Sequence, residues 1–315
     1  VRVIYGQGSQ RIDLSMKVTE LSWSSSRGQI AQVCDIKAKE SPYLAPAGIM
    51  MCFHNQVKER EEFFYGPLVD YEIDDKTGDV SAKAYEISWY LQKNDVSKPY
   101  INGDAGKELE RIVKASGISF SCPAFGFKLK ERLSSQSYAS LITDLTEKAN
   151  DKTGRRYFLQ AHRNKLELLP EGSNKSVPIF KASLLETSST GGSLEEVYTS
   201  VTVERYKDDK VASSVTKEKQ ELINKYGRMQ KIIDAGEEKD LSSLASKQLE
   251  ELSEVPKTRS CTIRHNDLTA SKIRAGWLIK IMEKDGKTIT EWIVTSCSAH
   301  WKGEYTMELQ LERRG

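Results

Sequence analysis

The residues of this chain best suited to chemistry are few and scattered. Its four histidines, His54, His162, His265 and His300, stand alone, and no His-Glu-x-x-His or His-x-His pair offers a metal two ligands from one element. Each is read as a structural or exposed histidine. The five cysteines, Cys34, Cys52, Cys122, Cys261 and Cys297, are odd in number and form no Cys-x-x-Cys pair. That usage fits a chain made in a reducing cytoplasm, with thiols filling small apolar spaces. Cys52 and His54 share a strand face at this spacing, but the spacing alone does not bring a thiol onto a base. A buried thiol beside a rim histidine is the plainer reading.

Nucleotide and acyl-transfer chemistry find no better footing. Gly6-Gln7-Gly8 lacks the third glycine and the strand-to-helix setting of a dinucleotide loop and reads as a turn. No phosphate-binding Gly-x-x-x-x-Gly-Lys-Ser/Thr run and no Gly-x-Ser-x-Gly elbow occurs. Two carboxylate clusters, Glu195-Glu196 and Glu59 to Glu62, hold the residue types of a glycosidase acid and base, yet neighbours on a strand point to opposite faces and read as solvated edges. Arg155-Arg156 and Lys225 to Arg228 are short basic clusters, read as solvated surface or subunit contact rather than a polyanion site. No catalytic, cofactor-binding or metal residue is expected, and the chain is read as a non-enzyme that works through its surfaces.

The elements that would carry such surfaces follow from periodicity. Val1 to Tyr5 reads as a strand, Gly6 to Ser9 as a turn, and Leu14, Met16 and Val18 as the buried face of a second strand. Trp23 to Gly28 reads as a hairpin turn. Ile30 to Ala38, Ile49 to Val57, Glu62 to Ile73 and Asp79 to Tyr85 complete a first β unit, closed by a short helix over Glu86 to Gln92. Helices follow over Gly106 to Ser116 and Ser137 to Asn150, then a hairpin with its turn at His162 to Lys165. Alternation predicts a strand over Glu195 to Tyr206, and an apolar stripe predicts a helix over Leu241 to Leu252. A meander over Gly276 to Met282, Thr288 to Ser298 and Tyr305 to Leu311 ends the chain. The division expected is 1–98, a β unit with a short helix whose regularly spaced strands suggest a barrel or sandwich; 99–198, an α+β middle domain; and 199–315, a second β unit with one helix, both β units being β-barrels on the resemblance described below.

Composition excludes several classes. Lys plus Arg total 47 against 45 Asp plus Glu, leaving a net charge of +2 over 315 residues, without the unpaired basic excess of a dedicated nucleic-acid binder. Hydrophobic residues make up 38% and charged residues 29%, which argues against disorder. No apolar run approaches the roughly 20 residues that span a bilayer. The opening Val1-Arg2-Val3-Ile4-Tyr5-Gly6 is expected to start a strand rather than to be a basic-then-apolar leader.

Taken in order, a set of local patterns resembles one family. They are Val18 to Ser26, Ser81 to Lys93, Lys148 to Tyr157 with Asn164 to Leu168, Glu195 to Val203, Lys225 to Gln230, and His300 to Leu311. Together they resemble the XkdQ/YqbQ-type tail proteins of Gram-positive prophages and contractile phages, which are similar in role to the central baseplate hub of phage T4. The likeness runs from about residue 14 to 311, and it is carried by the ordered set rather than by any single motif. It implies a β-rich α+β fold with two tail-tube-like β-barrel units around a small α+β domain. It further implies a structural baseplate hub, a homotrimeric ring joining the hexameric tail tube to the central spike. Implied partners are the tail tube protein, the spike, baseplate wedge proteins and the tape measure protein, with no membrane and no specific nucleic acid. The location implied is a phage virion or a genome-free tail particle such as an R-type bacteriocin, assembled in the bacterial cytoplasm. With its last strand ending near Gly315, the chain is expected to carry no fused wall-degrading domain. A tail-associated cell-wall hydrolase and a host-binding tail protein are the competing readings.

Overall fold

Strands are the commonest regular element of the chain, and on several of them burial alternates residue by residue. The computed structural model describes residues 1–40, 44–54, 62–207, 210–236, 238–264 and 268–313. His265, the carboxylates at 59 and 61, and the predicted strand beyond residue 54 lie outside the described residues. The chain begins with β1 (Arg2–Gln7), β2 (Gln10–Asp13), β3 (Val18–Ser26), β4 (Val33–Ala38), β5 (Ile49–Phe53), β6 (Glu62–Ile73) and β7 (Val80–Tyr85). A 3-10 turn, Ile87–Trp89, leads into α1 (Tyr90–Lys93), followed by β8 (Tyr100–Asp104), α2 (Ala105–Ala115), β9 (Ser119–Ser121), β10 (Lys128–Arg132) and α3 (Tyr138–Thr153). Next come β11 (Tyr157–His162), β12 (Lys165–Pro170), β13 (Ile179–Lys181), β14 (Thr187–Gly192), β15 (Ser200–Lys207), β16 (Lys210–Glu218), α4 (Gln220–Tyr226) and β17 (Gln230–Asp234). The last elements are α5 (Leu241–Leu252), β18 (Lys257–Arg264), α6 (Leu268–Ser271), β19 (Leu278–Met282), β20 (Ile289–Lys302) and β21 (Glu304–Arg313).

Two compact units result. The larger comprises Val1–Leu145, Tyr157–Ser189 and Arg259–Gly315; the smaller comprises Thr146–Arg156 and Thr190–Thr258. The largest sheet has 13 strands in the open order β14-β18-β21-β20-β3-β4-β7-β6-β5-β1-β2, with β19 joining β20 to β13. Among the described residues three smaller sheets accompany it, and none of the sheets closes on itself.

In this sheet β3 pairs antiparallel with β20, setting Trp23 against Ala299 and Ser25 against Cys297. The first and last β stretches of the sequence therefore share one sheet and one core, in which Trp23, Ile36, Phe64, Ile279, Val294 and Leu309 are all buried. Period-2 burial is regular on β4, where Cys34, Ile36 and Ala38 turn inward, and on β21, where Tyr305, Met307, Leu309 and Leu311 do. A side chain on Gly66 would place its Cβ 1.8 Å from the Tyr85 carbonyl oxygen. Glycine is what lets β6 run that close to the end of β7.

Several local expectations are corrected. Ser15 to Lys17 form a turn rather than a strand, and Met16 is 91% exposed. Its alternation with Leu14 and Val18 is coincidental, because both neighbours are held inside by that turn: the amides of Lys17 and Val18 donate to the Leu14 carbonyl. Trp23 is core, not turn. β3 runs on to Ser26, and the Trp23 indole donates to the Ser271 carbonyl at 3.3 Å. Gly6 and Gln7 belong to β1, paired with Arg11 and Gln10 of β2. The strand predicted from Glu195 begins only at Ser200. Thr199 instead donates its hydroxyl to the Gly227 carbonyl and accepts from the Met229 amide, which holds the preceding segment off the ladder.

The helices start where their caps sit. Asp104 caps α2, whose Leu109 and Val113 are buried. α5 runs over Leu241–Leu252 as its stripe predicts, capped by Asp240 through the Ser243 amide. In the smaller unit β16, β15 and β17 form one sheet. α5 packs Leu241, Ala245 and Leu249 against Val201, Val203 and Ile233 of that sheet.

Candidate interaction surface

Among the described residues, those weighed for chemistry do not assemble into a catalytic or metal-binding group. His54 lies against the ring of Tyr305, centroids 6.2 Å apart. The Cys52 sulfur contacts not a histidine but the Cys34 sulfur, 3.9 Å away, in the core. Burial pushes the Cys34 thiol well above its ordinary value, the opposite of an activated nucleophile. His162 ends β11, and His300 lies exposed on β20. Glu196 pairs with Arg156 at 3.9 Å, Arg228 with Glu218 at 2.6 Å, and Lys225 lies over the Tyr226 ring at 4.9 Å. Arg156 and Arg228 thus meet carboxylates locally, and Lys225 rests on an aromatic ring. Among the described residues no group of three or more His, Cys, Asp or Glu side chains could hold a metal ion.

One cleft of about 730 Å³ lies in the smaller unit, between the start of α4 and the end of α5. Glu221, Glu250 and Glu254 line it together with Lys219, Gln220, Leu222 and Ser253. Sequence reasoning missed this cleft, because its residues come from two helices about 30 positions apart and make no local motif.

The more extensive feature is unpaired strand edge. In the largest sheet β2 and β14 end the main path and β13 ends the branch through β19. β2 is guarded by charge, Arg2 meeting Asp13 at 3.1 Å beside Arg11, a common way of blunting an edge. β14, Thr-Ser-Ser-Thr-Gly-Gly, is uncharged and exposed along its whole length, so its outer backbone groups form an open template. In the smaller unit β16 and β17 are both edges. The face of this sheet away from α5 carries a ladder in which Thr202 meets the Thr216 hydroxyl and the Gln230 amide, each at 2.8 Å. Beside the ladder, Tyr206, Val211 and Ile232 are 48%, 50% and 57% exposed. Half-exposed apolar groups next to open edges are what a protein that assembles with others presents.

No helix among the described residues is long and apolar enough to cross a membrane. No curated protein matches the chain. Solved structures do. The 43 kDa tail protein of prophage MuSo2 from Shewanella oneidensis aligns over 99% of this chain and 98% of its own at 10% identity, with a TM-score of 0.67. The tail protein from Neisseria meningitidis MC58 aligns over 99% and 96% at 13% identity, TM-score 0.68. The Escherichia coli protein c3393, a component of the type VI secretion system with structural similarity to the T4 tail proteins gp27 and gp5, aligns over 95% and 74% at 10% identity, TM-score 0.55. At these identities the likeness is one of fold, and it takes in both units. The YQBQ-like family model matches residues 21–312, and with that span nearly the whole chain is accounted for: it belongs to the YQBQ-like family.

Proposed function

We propose that this chain is a structural tail protein acting as a baseplate hub: a homotrimeric ring that joins a hexameric tail tube to a central spike. The observation that carries the reading is end-to-end coverage, since 98% of a prophage tail protein superposes on 99% of this chain. A shared insert or single domain would not give that. In the proposed ring three chains present three-fold symmetry to the spike below and meet the six-fold tube above, each chain spanning two tube subunits. The open edges at β14, β16 and β17 become inter-subunit or partner contacts, which removes the aggregation hazard they pose in a free chain. Wedge and tape measure proteins are further neighbours. The protein performs no catalysis in this role, and its place is the baseplate of a virion or genome-free tail particle assembled in the cytoplasm.

The test is assembly. Mixed with its tail tube and spike proteins, the chain is expected to sediment in a complex containing three copies of a 35.6 kDa protein, with three-fold density beneath the tube by cryo-electron microscopy. A chain that stays monomeric with both partners present overturns the reading. Clearing of cell-wall substrate in a zymogram, abolished by Glu250→Gln in the carboxylate-lined cleft, would establish the hydrolase reading instead.

A further inference from the structure

We propose that the two-stranded ribbon of β8 and β10 docks an acidic, extended segment of a partner protein, which adds as a third strand along β10. The ribbon pairs Lys128 with Asp104, Lys130 with Asn102 and Arg132 with Tyr100. Directly opposed residues share a face, so Lys128, Lys130 and Arg132 line one side of β10, all three exposed, while Leu129 between them is buried.

These cations meet no carboxylate among the described residues. Arg132 donates to the Lys98 carbonyl at 2.9 Å and lies over the Tyr100 ring at 5.9 Å. The one acid across from them, Asp104, has both oxygens engaged: Oδ1 accepts from the amides of Gly106, Lys107 and Phe125, and Oδ2 from that of Gly126. The basic face thus meets no carboxylate across the ribbon, in a chain whose net charge is only +2.

Two features choose the occupant. β10 is a terminal strand with no further strand beyond it among the described residues, so its outer N–H and C=O groups are available for strand addition. Its cations also repeat every second residue, roughly 7 Å apart, the period at which a strand with alternate acidic residues presents its carboxylates. A phosphodiester polymer matches the charge but makes no use of the edge. The inference does not rest on the hub reading.

The probe is a fluorescein-labelled peptide alternating glutamate with threonine, titrated into the full chain and followed by anisotropy and amide hydrogen exchange. Saturable binding is expected, with slowed exchange confined to Lys128–Arg132. Lys128→Glu with Lys130→Glu should weaken it roughly tenfold or more, and peptides N-methylated at alternate residues should fail in one of the two registers. Three results overturn the proposal: no binding, binding that survives both N-methylated registers, or an oligothymidylate that displaces the peptide and binds more tightly.

Discussion

Arg274→Met would strand the carboxylate of Glu86 inside the larger unit. Arg274 Nη1 donates to Glu86 Oε1 at 2.7 Å, with side chains 11% and 6% exposed. The two residues lie 188 positions apart, so the pair ties the end of β7 to the segment leading into β19. Removing one member of a buried pair typically costs about 3–5 kcal/mol, because the remaining charge is left desolvated and alone. In a unit of this size each kcal/mol moves the melting temperature by about 2–4 °C, so the expected fall is roughly 6–20 °C. Glu86→Leu should be as damaging, since it strands a guanidinium whose Nε already has no hydrogen-bond partner. The double variant Glu86→Leu/Arg274→Met removes both charges and should recover most of the loss, giving a large favourable coupling in a double-mutant cycle. Differential scanning calorimetry following the transition of the larger unit reads all three. A fall below 2 °C for Arg274→Met, or a double variant as unstable as the two singles summed, would refute the reasoning.

Three further outcomes follow from the same structure. The thiols of Cys34, Cys52, Cys261 and Cys297 are buried and burial raises that of Cys261 to about 11, so an aromatic disulfide reagent should label the folded protein only slowly and the urea-unfolded protein at once; rapid native labelling of these four contradicts the packing. On β3 the Glu20 carboxyl is held at about 2, first by its hydrogen bond from Lys302 and then by that from Lys37, which stand on the flanking strands β20 and β4. A folded value below the unfolded one means this stabilisation is present above the usual carboxylate range and is lost as pH falls through about 2; carboxyl NMR should show Glu20 titrating there, and Lys302→Ala should bring it back up. Met16 is 91% exposed whereas Met50 and Met307 are fully buried, so mild peroxide should convert Met16 to its sulfoxide first without moving the melting temperature, and peptide mass spectrometry decides the order.

What could be read without coordinates was local. α5 falls on the predicted residues, Leu241–Leu252, because its apolar stripe carries a helical burial period, and β6 falls on Glu62–Ile73 as a run rich in aromatic and β-branched residues, buried along its first half and exposed along its second. β14 was invisible, for Thr187–Gly192 has no apolar residue to set a period and is a strand only by pairing. The same holds for much of β16, exposed along most of its length. Where a pattern misled, a neighbour decided: Trp23 sits among serines that read as a turn, yet Phe63 stacks on its ring at 4.2 Å from a strand about 40 residues away. The alternate cations of β10 are plain in the sequence, but the occupation of Asp104 by four amides, which leaves them no carboxylate across the ribbon, depends on a loop 21 and 22 residues further on.

The sequence by itself determined the β-rich character, the scatter of its reactive residues and, through an ordered set of patterns, the family. The neighbours were decided by tertiary structure alone. A period of two says which face of a strand is buried and nothing about which strand lies beside it. That β3 pairs with β20, drawing the first and last β stretches into one open sheet, follows from contacts some 270 residues apart, such as Ser25 with Cys297. Only the closing of a shared core makes such a pairing worth its loop-closure entropy.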